Sequence, residues 1–311
     1  MPTHSSAKSR RRGAPQATTR DRAFAIIALL AVLAGALFVW WYIQRPRVEQ
    51  FPNTIEIDHP DFMLSIPSGV IHFRMLNITE IAAKPGGQQL IGNATLVSLL
   101  IPLVNITSSD VTWAVDIEVQ ENEAVNVLGM AAGAVVQLAS LLNRTPLSTE
   151  KMADFTVYRV RTTNNSWASL ALIGNFLVYF DRAAGTSAME RVLGAISGNE
   201  ARLFDDDSMK RAYYLATLGP HLLGISLTTF SSLPKTGVEV DWMFSFAGYE
   251  GDEVDKTDVF GLISQQAAID TFDAAKQLYF ARAQSQYIIG SFIVAGYSYP
   301  ADDLRTVILS L

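Results

Sequence analysis

The chain has no cysteine. That excludes disulfides, thiol nucleophiles, zinc–thiolate sites and covalent haem attachment together. Histidine is scarce as well. His4, His59, His72 and His221 are the only four. None has an i,i+4 partner, so zinc-peptidase spacing is absent. The sequence carries no G-x-S-x-G elbow, no G-x-G-x-x-G and no Walker loop. The recognisable nucleophile, dinucleotide and triphosphate motifs are therefore excluded. No cofactor or metal ligand set is indicated, and no catalytic residue is assigned.

Basic charge is scarce where the chain is longest. From Pro46 onward 17 Lys plus Arg face 29 Asp plus Glu, a balance of −12. An acidic region of this size argues against nucleic acid and against docking on anionic lipid. The first 22 residues are the reverse, with Lys8, Arg10, Arg11, Arg12, Arg20 and Arg22 against Asp21. Low in large apolar residues, 1–22 reads as a disordered basic cytoplasmic tail.

Between these regions lies AFAIIALLAVLAGALFVWWYI, residues 23–43, without a charged side chain. A bilayer core takes about 20 apolar residues in helical form. A signal peptide has a shorter apolar core and a cleavage site. Ala34-Gly35-Ala36 imitates such a site, but Leu37 to Trp41 continue the run past it. The stretch 23–43 is therefore expected to be an uncleaved transmembrane helix whose partner is the lipid bilayer. The basic flank puts the N-terminus inside and the rest outside the cytoplasm. Residues 44–60, with three prolines, read as a linker.

The exported part reads as α+β. Asp110–Val119 alternates apolar and polar, with Val111, Trp113, Val115, Ile117 and Val119 expected on one face. Val70–Leu76, Phe155–Arg161, His221–Phe230, Val238–Ala247 and Asp258–Ile263 also read as strands. Trp167–Phe180 reads as a hairpin turning at Gly174-Asn175, and Gln286–Tyr299 as one turning at Gly290-Ser291. Asn93–Val104 is expected to be a buried helix. Glu123–Leu142 is expected to be one long helix packed on a sheet. Further helices are expected at Ser187–Ile196, Asp207–Leu218, Ser264–Ala281 and Asp302–Leu311.

Ile173-Gly174-Asn175-Phe176-Leu177-Val178 aligns with Ile289-Gly290-Ser291-Phe292-Ile293-Val294, and Met189, Val192 and Leu193 with Leu304, Val307 and Ile308. Both regions read β-α-β-β-α. An internal repeat is thus expected, with a first unit at 110–197 inside an exported domain 61–253 and a second at 254–311. Each unit places helices on one face of an antiparallel-rich sheet.

The order over Asp110–Phe230, with Leu203-Phe204-Asp205-Asp206-Asp207 after the first unit, resembles a loose class of membrane-anchored, exported prokaryotic proteins of unknown function. That resemblance implies an α+β repeat fold and carries no activity with it.

Five Asn-x-Ser/Thr sequons occur, at Asn77, Asn93, Asn105, Asn143 and Asn164. They fit glycosylation of an exported surface, and they fit turn chemistry. Two motif imitations fail on context. Leu233-Pro234-Lys235-Thr236-Gly237 matches a sortase pentapeptide, but an acidic strand follows it. Ser148-Thr149-Glu150-Lys151 follows Pro146 and does not open a helix. The acidic run Tyr249–Asp258 lacks EF-hand ligand spacing. The function expected is that of a single-pass, membrane-anchored extracytoplasmic protein with a non-catalytic binding or scaffolding domain and a protein partner at the outer surface. The alternatives are an accessory subunit of a membrane complex and an envelope hydrolase with a scattered site.

Overall fold

A computed structural model describes residues 19–44, 48–49, 51, 60–92, 108–121, 123–144, 148–161, 167–181, 187–216, 221–229, 240–277 and 279–311. The chain forms two compact units, Met1–Pro46 and Arg47–Leu311. In the first, α1 runs Thr19–Gln44. The side chains described in it are Phe24 and 26–40. Among the described residues no helix is long and apolar enough to cross a membrane.

The second unit is α+β. Its described elements in chain order are β1 (Val48–Glu49), β2 (His72–Leu76), α2 (Ile78–Ala82), α3 (Gly87–Gly92), β3 (Val111–Gln120), β4 (Glu123–Met130), α4 (Ala132–Arg144), β5 (Ser148–Met152), β6 (Phe155–Arg161), β7 (Trp167–Ile173), β8 (Phe176–Phe180), α5 (Ser187–Ser197), α6 (Asp207–Ala216), β9 (Leu222–Thr229), β10 (Trp242–Glu250), β11 (Glu253–Gly261), α7 (Gln265–Ala275), β12 (Ser285–Ile289), β13 (Phe292–Pro300) and α8 (Leu304–Leu309). All thirteen strands form one sheet, in the order β1-β12-β13-β11-β10-β9-β2-β3-β4-β8-β7-β6-β5. Only the two-residue pair β1–β12 is parallel.

Helices cover both faces of this sheet, not one. On β8, Phe176, Val178 and Phe180 enter one apolar cluster and Leu177 and Tyr179 another, so the alternation of the strand separates the two faces. The first face is covered by α5 and α6 through Met189, Val192, Leu193, Ala212 and Tyr213. The second is covered by α2, α3, α4 and α8, and by α7 towards the β12 edge.

The expected helix over Glu123–Leu142 divides. Glu123–Met130 is strand, paired with β3, and only Ala132–Arg144 is helix. The strand is buried on both faces. Its apolar run is therefore nearly continuous, and periodicity does not separate such a run from a buried helix. The expected single face of β3 also breaks. The register shifts between Val111 and Trp113, and this bulge turns Val111 to the second face while Val115, Ile117 and Val119 hold the first. Asn93–Val104 lies outside the described residues, as do Leu233–Gly237, His4 and His59.

The sheet order is similar on its two sides, within bounds other than those expected for the repeat. Centred on the antiparallel pair β2–β9, the sheet reads outward as β2-β3-β4-β8-β7 on one side and β9-β10-β11-β13-β12 on the other. Each half is therefore three strands, a helix and a hairpin. Residues 254–311 follow the expected β-α-β-β-α order as β11, α7, β12, β13 and α8, whereas 110–197 adds the strand β4 and the hairpin β5–β6, and the sheet runs on unbroken across the expected 253/254 boundary. The first half carries an additional hairpin, β5–β6.

Matching details recur. Trp113 pairs with Gly129 and Trp242 with Gly261. In both cases a Cβ on the glycine would overlap the indole ring. Each indole also lies 5.5 Å from a phenylalanine that opens the next hairpin strand, Phe176 or Phe292. Gly174 and Gly290 both sit at φ +58, where glycine carries no Cβ penalty. Met130 N–H donates to Asn175 O at 2.8 Å, and Leu262 N–H to Ser291 O at 3.1 Å. The helical part of the expected alignment fails. Met189, Val192 and Leu193 pack on the first face, and Leu304, Val307 and Ile308 on the second.

Candidate functional site

The second face carries a polar row through its centre. Cross-strand pairing runs Asn126–Asp116–Arg74–Ser226–Ser245–Asp258, from β4 to β11. Strand alternation puts all six side chains on one side of the sheet. The row crosses the β2–β9 centre at Arg74 and Ser226. Ser226, Ser245 and Asp258 are buried.

The two ends of the row solve one problem differently. A buried carboxylate needs hydrogen bonds and a counter-charge. In the second half Asp258 receives both. Ser245 Oγ donates to Asp258 Oδ1 at 2.6 Å, and Lys256 Nζ stands 3.5 Å from the same oxygen. Burial raises the Asp258 pKa, while Lys256 and Ser245 act to lower it. In the first half Asn126 takes the place of Asp258, and the acid is Asp116 on the neighbouring strand. Burial raises the Asp116 pKa too, with Arg74 and His72 pulling it down. Yet no described carboxylate reaches ion-pair distance of Arg74, and Arg74 Nε is buried without a hydrogen-bond partner.

Arg74 lies on the floor of a cavity of about 520 Å³. Its walls are Ile81 of α2, Pro85 and Gly86, Gln89, Leu90 and Ile91 of α3, and Leu304, Ile308 and Leu309 of α8. Asp302 and Arg305 stand at the rim, both exposed. Short helices place these groups. Asn77 caps α2, its Oδ1 accepting from Glu80 N–H at 3.1 Å. Ile78 and Ile81 then face the core from a single turn.

His72 flanks Arg74 two residues along β2. Its Nδ1 is 3.0 Å from Thr228 Oγ1, and burial lowers its pKa. No serine, cysteine or second histidine completes a nucleophile–base pair with it among the described residues. His221 is exposed and stands 3.9 Å from Glu80. Among the described residues no three His, Cys, Asp or Glu side chains group as metal ligands. The acidic run Tyr249–Asp258 is the β10–β11 hairpin, with Glu250 paired to Glu253. Asp206 Oδ1 accepts from the N–H groups of Ser208 and Met209, so the Asp205–Asp207 run serves the start of α6.

The sequon asparagines are dispersed. Asn77 is a half-buried helix cap. Asn143 is exposed in the last turn of α4. Asn93, Asn105 and Asn164 lie outside the described residues. Ser148 opens β5. In the sequence His72 and Arg74 alternate with Phe73 and Met75 and read as the polar side of a strand. The signal was a lone cation within VIHFRML, and its meaning depended on β2 lying at the centre of the sheet.

Three solved structures of TP0453 are similar to this chain in fold, at low identity. Crystal form III matches at TM-score 0.46 with 13% identity, over 83% of this chain and 100% of the other. Form IV matches at 0.44 with 10% identity, over 79% and 95%. Form I matches at 0.41 with 12% identity, over 82% and 98%. No residue role transfers at these values. No family model matches the chain, and no curated protein does.

Proposed function

We propose that this chain is a single-pass membrane protein, N-terminus in the cytoplasm, whose Arg47–Leu311 unit acts outside it as a non-catalytic binding domain. One observation carries the reading. The large apolar side chains described in α1, from Phe24 to Trp40, are each 50–69% exposed. A helix apolar on all sides needs either a protein core or a lipid one. The backbone of α1 covers 26 residues, about 39 Å against a hydrocarbon core of about 30 Å, although the side chains described within it are too few to make a span by themselves. Six basic residues before it, against Arg45 and Arg47 close after it, set the direction. Binding is supported by a cavity that presents a cation and largely apolar walls, with the His72–Thr228 contact lying outside its lining.

The test uses intact cells expressing the full chain with a tag at each end. External protease removes the C-terminal tag and spares the N-terminal one, and alkaline carbonate leaves the chain in the membrane fraction. Protection of the C-terminal tag in intact cells overturns the orientation. Release by carbonate overturns the anchor.

A further inference from the structure

We infer that the cavity under α3 and α8 holds one single-chain amphiphile with an anionic head, the head on Arg74 and the chain along Ile81, Leu90, Ile91, Leu304 and Ile308. The inference rests on the binding reading above and names its ligand class.

Three observations carry it. The first is the contrast between the halves of the polar row. Lys256 answers Asp258 at 3.5 Å in the second half, whereas in the first Arg74 makes no ion pair among the described residues and leaves Nε unbonded. A buried donor left unmade is costly, and a hydrogen bond to a charged group is among the stronger ones. An anion arriving at Arg74 supplies the counter-charge that Asp258 gives to Lys256. The second is the distribution of chemistry around the cavity. The cation is on the floor, the walls above it are mostly aliphatic with Gln89 the polar exception, and the exposed Arg305 and Asp302 offset one another at the rim. A small hydrophilic anion leaves those walls unused, and a neutral hydrocarbon leaves the arginine unanswered. The third is size. About 520 Å³ falls within the common range for ligand pockets, about 300–1,000 Å³. One chain suits it better than a two-chain lipid. A fatty acid and a lysophospholipid share this chemistry and differ in the head, carboxylate or phosphate.

The experiment uses the full chain in membranes and a palmitic acid bearing a diazirine on its chain. After illumination and digestion, label is expected on peptides covering Ile81–Ile91 and Leu304–Leu309. Unlabelled palmitate or lysophosphatidate displaces it, and the better competitor identifies the head. Hexadecanol at equal concentration does not. Arg74→Gln lowers labelling by roughly tenfold, the scale of one hydrogen bond to a charged group. Leu90→Trp, which fills the cavity and keeps the charge, lowers it as well, and the melting temperature of each variant is read beside it. Label spread over other peptides of the Arg47–Leu311 unit, equal competition by hexadecanol, or undiminished labelling of folded Arg74→Gln overturns the inference; label on α1 is expected from the bilayer and decides nothing. Those outcomes leave the anchored binding domain standing. Protease protection of the C-terminal tag overturns that reading whatever the label does.

Discussion

The two halves of the sheet share a frame and differ in what fills it. Both lay a tryptophan over a glycine, both turn a hairpin on a left-handed glycine, and both carry one acid in the middle row, buried in the second half and half-buried in the first. On the first face, however, β3 presents Val115 and Ile117 where β10 presents Phe244 and Phe246. The aromatic pair stacks at 5.4 Å and meets Phe204 and Tyr213. The aliphatic pair lies nearer α5, which contacts β3 and β4. The repeated backbone is thus set by glycine–indole contacts and turns, and the helix above each half selects the side-chain volume. On the second face the difference concerns charge. The second half closes its ion pair within the sheet, and the first leaves a cation facing a cavity.

The largest effects are expected from the positions where the halves diverge. Phe244→Ala removes a fully buried ring from the aromatic group, at a cost of about 3–5 kcal/mol. Val115→Ala at the matching position costs about 2 kcal/mol, from two methyl groups and a small void. Urea denaturation of both variants measures the contrast, and equal costs break it. Asp258→Asn leaves Lys256 with 13% of its side chain exposed and no carboxylate, at about 3 kcal/mol or more. Asp116→Asn leaves Arg74 no less paired than before, and about 1 kcal/mol is expected.

The positions where the halves agree sharpen the comparison from the other side. Gly129→Ala and Gly261→Ala each force a methyl group into an indole, and each costs about 1–3 kcal/mol. Costs within about 0.5 kcal/mol of one another support a shared device. A clear inequality, read from the same denaturation curves, assigns the contact to one half alone.

The smallest effect is the pH dependence. Burial raises Asp258 and Asp116, so the folded chain keeps their protons at pH values where the unfolded chain has lost them. Their contribution to stability therefore falls as pH rises from the unfolded value of about 3.9 through the raised folded values. Burial lowers His72, so the unfolded chain takes up the proton first. Stability is lost there as pH falls below about 6.5. His72→Gln is expected to flatten the curve below pH 6.5, and Asp258→Asn to flatten its decline above pH 4. Each change is at most about 1.4 kcal/mol per pH unit. A curve unchanged by His72→Gln contradicts the burial of that ring.

Much of the frame was legible because it rests on local chemistry. Gly174-Asn175 and Gly290-Ser291 announce their hairpins, and Ser264 caps α7 by accepting from Ala267 N–H at 3.1 Å. Phe155–Arg161 and Trp167–Phe180 fall on their strands. The failures share a cause, burial on both faces. It made Glu123–Met130 look like helix, and it hid Arg74, since an arginine in an alternating strand reads as solvent-facing. The third strand of each half and the helices on opposite faces follow from pairing between β2 and β9. That pairing joins residues about 150 apart and leaves no local mark.

Amide hydrogen exchange on the full chain in lipid discs, with and without palmitate, tests the difference between the halves most directly. The expected result is slowed exchange over Ile81–Ile91 and Leu304–Leu309 in the wild type, abolished by Arg74→Gln, with the Glu253–Gly261 strand unchanged. Equal protection in Arg74→Gln, or protection confined to the Glu253–Gly261 side, would contradict it.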